Sequence, residues 1–272
     1  MTHSGADIAA LLGAHGLRPS RALGQNFVAD PNTVRRIARL AEAGPESSIL
    51  EIGAGLGSLT LALAETGARV VAVELDRYIL PVLRSVVEPV GVEVIEGDAM
   101  MLDVAALLAE RGPGPWSLVA NLPYNIATPL VMKTLVEVPA VTRLLVMVQR
   151  EVGERMAAGV GDDAYGSVSV RVAYFAKSSV AARVPASVFI PRPNVESVLV
   201  QMTRRPEPAV SPELVSYERL AAVVKAGFGQ RRKMLRRSLA GVVTPEAFER
   251  AGIRPQARAE ELDIVEWGRL AQ

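Results

Sequence analysis

Between residues 48 and 149 the chain alternates short apolar runs with longer amphipathic ones. Residues 49–52, 69–74, 92–95, 117–120 and 143–149 are apolar over strand lengths. Residues 58–65, 77–87 and 128–136 carry helical spacing between them. Strand and helix in alternation, joined by short glycine-containing turns, predict a mostly parallel sheet covered by helices on both faces, an α/β class. Ligands of such sheets bind at the carboxyl ends of the strands. From 160 to 203 the pattern is mixed. Ser167-Val168-Ser169-Val170-Arg171-Val172 alternates like a strand, yet the run to Ala176 is long enough for a helix. Residues 180–184 and 197–202 read as strands on either side of a rigid Pro191-Arg192-Pro193 turn. Three prolines among charges mark 204–212 as a linker, and the pattern beyond it is helical, opening on a cap at Ser211-Pro212. The expected organisation is one domain over 1–203, whose residues 1–47 form an N-terminal helical segment, a linker over 204–212 and a helical domain over 213–272.

Composition narrows the chemistry. None of the 272 residues is cysteine, which excludes a disulfide scaffold and a thiolate metal site. The two histidines, His3 and His15, lie near the N-terminus, so a His/Cys zinc deaminase is excluded and no metal is expected. No apolar run reaches the roughly 20 residues of a membrane span, and the N-terminus lacks the basic and apolar regions of a signal peptide. The expectation is a soluble cytoplasmic protein, with a monomer as the assumed state. A net charge of +1 conceals an asymmetry: residues 204–272 hold 13 basic and 9 acidic residues, hence +4, and the rest carries −3. Lys225, Arg231, Arg232, Lys233, Arg236 and Arg237 fall together with no acid among them. Such a block is either a phosphate-contacting surface or a solvated helix face.

Three consecutive strand ends carry candidate ligand groups. Glu51-Ile52-Gly53-Ala54-Gly55-Leu56-Gly57-Ser58 follows the first strand and opens a helix. A dinucleotide fold requires G-x-G-x-x-G; here the third glycine comes one residue early and Ser58 takes its place, which disfavours a pyrophosphate cradle. Glu74 ends the second strand, where a carboxylate can take ribose hydroxyls. Asp98, after the third strand, is placed to accept from an adenine amino group. Each acid alone could equally cap the helix that follows it. Together they suit an adenosine without phosphates, as in S-adenosylmethionine. Asn121-Leu122-Pro123-Tyr124 ends the fourth strand. The amide and a neighbouring carbonyl can accept the hydrogens of an exocyclic amine, the proline sets the turn, and the ring can stack on a base. That combination points to amino-methylation of adenine or cytosine; the competing reading is a turn with an asparagine cap and a buried tyrosine.

These segments, with Leu23-Gly24-Gln25-Asn26-Phe27-Val28, Gln149-Arg150-Glu151-Val152, Tyr165-Gly166 and 188–197, stand in the order found in the ribosomal RNA adenine dimethyltransferases, which the chain resembles from about Arg21 to Leu239. The resemblance implies a Rossmann-like methyltransferase sheet with a small C-terminal helical domain. It implies S-adenosylmethionine contacts at Asn26, Val28, Gly53, Glu74, Asp98 and Asn121, and target-base contacts at Asn121, Leu122 and Tyr124. It also implies a helix over 166–176. Within the family the chain resembles the branch that dimethylates two adjacent adenosines near the 3′ end of 16S rRNA in the small ribosomal subunit, a likeness carried by 228–239. On that branch Arg231, Arg232, Lys233, Arg236 and Arg237 become candidate RNA contacts, and Arg18, Arg21, Arg35 and Arg36 could add to an RNA surface. Departures occur at Ala54 for proline, Glu196 for aspartate and Ser238 for asparagine. Met100, Met101 and Met132 are expected in the core, and Trp116 and Trp267 show no special setting. The alternatives are a 23S adenine dimethyltransferase, a nicotinamide oxidoreductase and a non-catalytic assembly factor.

Overall fold

The computed structural model describes residues 2–272. In chain order the helices and strands are α1 (Gly5–Ala14), β1 (Phe27–Val28), α2 (Pro31–Leu40), β2 (Ser48–Ile52), α3 (Ser58–Ala64), β3 (Arg69–Glu74), α4 (Leu80–Val87), β4 (Glu93–Glu96), α5 (Val104–Ala109), β5 (Trp116–Asn121), α6 (Ala127–Glu137), β6 (Val141–Gln149), α7 (Arg150–Ala157), α8 (Ser167–Phe175), β7 (Ala176–Val184), β8 (Phe189–Ile190), β9 (Ser197–Arg204), α9 (Tyr217–Gly229), α10 (Leu235–Ser238), α11 (Pro245–Ala251) and α12 (Ile264–Ala271). Seven strands form one sheet in the order β4-β3-β2-β5-β6-β9-β7. Strands β2 to β6 pair in parallel, and β9 runs antiparallel to β6. The chain winds outward from β2 to β4, then returns to the other side of β2 as β5. That reversal opens a crevice at the carboxyl ends of β2 and β5, the switch point at which doubly wound sheets bind ligands. No helix among the described residues is long and apolar enough to cross a membrane.

The chain divides into two compact units, residues 1–153 with 180–203 and residues 154–179 with 204–272. In the first, buried side chains of α1 (Ile8), α2 (Val34, Ile37), α3 (Leu59, Leu63) and α4 (Leu83, Val87) meet Ile49, Val70, Ala72 and Val94 of the sheet. The parallel strands are apolar at nearly every position because such strands are covered on both faces. Within that run Glu51 and Glu74 are buried acids. A second, two-stranded pairing joins β1 to β8, Phe27 opposite Ile190 and Val28 opposite Phe189. Two-residue strands leave no periodicity to read, so this pairing is invisible in the sequence pattern.

The second unit is built around Trp267, which is fully buried among Leu220, Val223, Val224, Leu235, Phe248 and Leu270. A Cβ added at Gly227 would lie 2.4 Å from the Trp267 ring, so the indole packs directly on the α9 backbone. The expected boundary at 203 therefore shifts: residues 154–179 pack with the C-terminal helices. The expected linker is also structural, because Val210 is buried in this core and the Ala209 amide donates to the Tyr174 carbonyl at 2.9 Å. Residues 167–175 are helical, as the family resemblance implies and against the strand-like alternation. Val170, Val172 and Tyr174 are buried while Ser169 donates its hydroxyl to the Arg155 carbonyl at 2.6 Å, which satisfies a polar group on the inward face.

Candidate active site

The crevice at the switch point holds a cavity of about 300 Å³. It is lined by the loop before β1 and β1 itself, the turns after β2, β3, β4 and β5, and the start of α3. All the candidate cofactor residues come together here: Asn26, Val28, Gly53, Glu74, Asp98 and Asn121, together with Leu122 and Tyr124.

Each strand end is shaped by local chemistry. After β2 the chain turns on Gly53 and Gly55, at φ +76° and +58°, conformations that an L side chain resists. A Cβ at Gly55 would stand 3.0 Å from the Phe27 ring, so the absence of side chains also gives the loop its close approach. The Gly53 and Ala54 amides both donate to the Val73 carbonyl, at 2.8 and 3.4 Å. Alanine at 54 thus supplies a hydrogen bond that proline lacks, which offsets the flexibility it admits.

After β3, Glu74 accepts the Gly55 amide on Oε2 at 2.7 Å and the Leu75 and Asp76 amides on Oε1 at 2.9 Å each. The carboxylate thereby ties the glycine turn to its own turn. Oε2, with a single amide on it, retains a lone-pair position for a ligand hydroxyl. Burial raises its pKa, the three amides oppose the rise, and the Asp76 charge adds to it. Asp98 Oδ1 accepts the Met100 amide at 2.8 Å. It therefore caps the following turn as well as lining the cavity.

At β5 the Asn121 amide nitrogen donates to the Asn26 carbonyl at 2.9 Å. This orients the side chain and leaves Oδ1 as its acceptor. The Leu122 amide donates to the Met147 carbonyl at 3.1 Å, while the Leu122 carbonyl accepts no hydrogen bond among the described residues. Two acceptors, one amide oxygen and one peptide carbonyl, are thus presented together. The Tyr124 hydroxyl shares a 2.9 Å hydrogen bond with the Ser197 hydroxyl, which pins the half-buried ring by its outer end. Burial raises the phenol pKa and the serine opposes the rise.

The cavity suits S-adenosylmethionine on its own evidence. Its lining contains three acids, Glu51, Glu74 and Asp98, and no lysine, arginine or histidine. That balance fits a ligand with sugar hydroxyls, an exocyclic amine and a positive charge, and it opposes a pyrophosphate. The volume lies within the range of about 300–1,000 Å³ typical of small-molecule sites.

Three site residues escaped assignment from sequence. Ser197 was visible only as the end of a motif; its role depends on a pairing across 73 residues. Gln25 accepts the Ser20 amide at 2.7 Å and donates to Asp76 at 2.8 Å, so it braces the first loop against the β3 turn. Glu51 sits in a strand that reads as apolar, and the acid itself was the available signal. Met101, expected in the core, is 83% exposed, and Met100 lines the cavity.

The basic block lies in the second unit and is split, because α9 ends at Gly229 and α10 begins at Leu235. Arg231 is held internally, donating to Glu260 and to the Asp163 carbonyl, both at 3.0 Å. Arg232, Lys233, Arg236 and Arg237 are exposed. Glu196 pairs with Arg150 at 3.2 Å, and Ser238 is buried with its hydroxyl on the Leu235 carbonyl at 3.4 Å. Arg35 of the expected RNA-facing pair is matched by Glu65 at 3.2 Å.

Comparison with known proteins agrees with this geometry. Relatives named ribosomal RNA small subunit methyltransferase A include those of Kineococcus radiotolerans, 43% identical, and Streptomyces griseus, 44% identical. Each match spans 98% of this chain, and 90% and 93% of the respective relatives. Among solved structures, a dimethyladenosine transferase from Plasmodium falciparum superposes with a TM-score of 0.74 at 25% identity, covering 89% of this chain and 94% of that one. The 23S rRNA methyltransferase ErmE superposes with a TM-score of 0.70 at 25% identity, covering 90% and 98%. The model of the family described as ribosomal RNA adenine dimethylase matches residues 17–272, and the chain belongs to that family.

Proposed function

We propose that this protein is an S-adenosylmethionine-dependent dimethyltransferase that converts two adjacent adenosines near the 3′ end of 16S rRNA to N6,N6-dimethyladenosine during small-subunit assembly. The observation that carries the chemistry is the pair of acceptors at the end of β5, Asn121 Oδ1 and the Leu122 carbonyl, beside a cavity that also holds the acids Glu74 and Asp98 at the ends of β3 and β4. The choice of 16S rests on relatives at 43–44% identity named for the small subunit, against 25% for the 23S enzyme.

S-adenosylmethionine, when bound, supplies the methyl group. Glu74 would take the ribose hydroxyls, Asp98 the adenine amine, and Asn26, Val28 and the Gly53 turn the remaining contacts. The protein's task at the target is to present a poor nucleophile correctly. The N6 lone pair of adenine is delocalised into the ring. Hydrogen bonds from its two N–H groups to Asn121 Oδ1 and the Leu122 carbonyl favour a pyramidal nitrogen and aim the lone pair. Extruding a base from its stack costs a few kcal/mol, while stacking on an aromatic side chain returns about 1–3 kcal/mol. Tyr124 therefore offsets extrusion, and alignment sets the rate. No general base is needed, since the methylated amine loses its proton readily to water. A monomethylated base must re-enter the same pocket with one N–H remaining, so one acceptor contact is given up in the second transfer. Arg232, Lys233, Arg236 and Arg237 would contact phosphates, and Arg231 would support them through its internal bonds. The enzyme acts as a monomer in this reading.

The test uses radiolabelled S-adenosylmethionine with under-methylated small subunits, large subunits and free rRNA, with labelled positions mapped by primer extension. Adjacent adenosines near the 16S 3′ end should be modified. Label in the large subunit would assign the protein to the 23S reaction. Cofactor binding with no label in any RNA would assign it to assembly without catalysis.

A further inference from the structure

Leu56 stands in the middle of the glycine turn, buried, and lines the cavity. Its carbonyl precedes α3, and no backbone amide among the described residues donates to it. Its partner is the ring of His3, whose Nε2 stands 3.1 Å away across 53 residues. A peptide carbonyl can only accept, so Nε2 carries the hydrogen and Nδ1 is bare in the neutral ring. Burial lowers the ring's pKa, against the Leu56 bond and the Asp7 charge, and keeps it neutral at pH 7. The ring is delivered there by α1. Ser4 caps that helix by accepting the Asp7 amide at 3.3 Å, and Asp7 accepts the Ser4 amide at 2.8 Å. Ile8, fully buried, anchors the helix in the core that also holds Leu56 and Leu59. His3 and α1 lie ahead of residues 17–272, the stretch that matches the family, so their role has to be read from this contact.

We propose that His3 is a positioning residue for cofactor binding, which fixes the Leu56–Gly57 peptide and with it the wall that the glycine turn gives to the cavity. This rests on the reading of the cavity as the S-adenosylmethionine site. Three amides of the turn are held by the end of β3: Gly53 and Ala54 by the Val73 carbonyl, and Gly55 by Glu74. The Leu56–Gly57 peptide has no such tie to the sheet. Its amide bonds only within the turn, from Gly57 to the Ala54 carbonyl at 2.9 Å. Gly57 sits at φ +84°, and a Cβ there would meet Val87 at 2.8 Å, so the position requires glycine and has glycine's freedom to rotate. His3 is the group from outside the turn that opposes this rotation. Rotation would carry the Leu56 side chain out of place and tilt the start of α3, where Ser58 and Leu59 also line the cavity. His3 touches no cofactor atom in this arrangement; it acts through the peptide.

The test is calorimetric titration of the full-length protein and its His3 variants with S-adenosylmethionine at neutral pH. His3→Phe keeps a ring and removes the donor, and should weaken affinity about 3- to 10-fold, the scale of one hydrogen bond. His3→Gln places an amide nitrogen where Nε2 stood and should restore most of that loss. His3→Asn, whose amide nitrogen falls at the Nδ1 position, should not. Nitrogen NMR of the wild-type imidazoles supplies a readout that does not depend on a variant folding. The chain has two histidines, so His15 serves as the internal reference. The His3 ring should show the Nε2–H tautomer and shift when cofactor binds. Equal affinity of wild type and His3→Phe would overturn the proposal and leave the cofactor reading intact. So would a His3 ring in the Nδ1–H form, or one unchanged by the cofactor. A loss of affinity that His3→Gln does not restore would make the effect one of packing and would also overturn it. Failure of the wild type to bind at all would remove both.

Discussion

Replacing Glu51 with glutamine should change the pH dependence of folding stability in a direction opposite to most acid substitutions. The wild-type carboxyl titrates at about 4.5 in the unfolded chain and about 8 in the folded one. Between those values the folded state binds one proton more than the unfolded state. Stability therefore falls as pH rises through this window, and the contribution is fully present only below the unfolded value. At 1.36 kcal/mol per unit, the loss is about 3 kcal/mol at pH 7 and on the order of 5 kcal/mol once pH exceeds 8. Because the group is fully buried, solvent screening takes little away. Glutamine carries a buried amide whose own cost does not vary with pH, so it moves the whole curve without tilting it. Other acids, such as Glu93, held below its ordinary value by Arg111, contribute equally to both proteins and cancel in the difference. Urea denaturation of both proteins, free of cofactor, from pH 4.5 to 8.5 gives the result directly. The stability of Glu51→Gln relative to wild type should climb by several kcal/mol across the range. A gap constant to within 1 kcal/mol would show that Glu51 ionises freely in the folded protein, and the reasoning about its burial would be wrong.

Asn121→Ala should lower methyl transfer by about 10²- to 10³-fold, the scale seen when a positioned hydrogen-bonding group is removed; single-turnover kinetics with saturating cofactor checks it. Ser197→Ala frees the Tyr124 ring and should reduce turnover several-fold more than cofactor affinity, with partial rescue by Ser197→Thr; equal effects on both would mean the bond in the structure does not orient the ring. Gly227→Ala drives a Cβ to within 2.4 Å of Trp267 and should destabilise the second unit by about 1–3 kcal/mol, measured by chemical denaturation. Replacing Arg232, Arg236 and Arg237 with glutamine should weaken RNA binding and reduce the slope of log affinity against log salt by about 2; an unchanged slope would place the RNA contacts elsewhere.

The sheet was legible because parallel strands buried on both faces leave long apolar runs, and each run here ends in glycine or a polar residue that marks its carboxyl end. That is why the sequence alone places Gly53, Glu74, Asp98 and Asn121 in one crevice. The position of Glu51 was equally available, yet an acid within an apolar run has no meaning until its burial is known. The Tyr124–Ser197 bond and the β1–β8 pairing join residues far apart in the chain through elements too short to carry periodicity. The second unit was misdivided for a related reason. Val168, Val170 and Val172 alternate with Ser167, Ser169 and Arg171, and the Ser169 hydroxyl on the Arg155 carbonyl satisfies a polar group on the inward face of the helix, a partner the pattern does not show. The basic block shows the same limit: its composition was plain, while the diversion of Arg231 to Glu260 and Asp163 depends on tertiary contacts.

The measurement that bears most directly on the whole account is nucleoside mass spectrometry of 16S rRNA from small subunits lacking the modification, before and after incubation with this protein and S-adenosylmethionine. Two N6,N6-dimethyladenosines per 16S molecule, absent with Asn121→Ala, are predicted. Only monomethyladenosine, or no change in 16S while 23S acquires the modification, would contradict it.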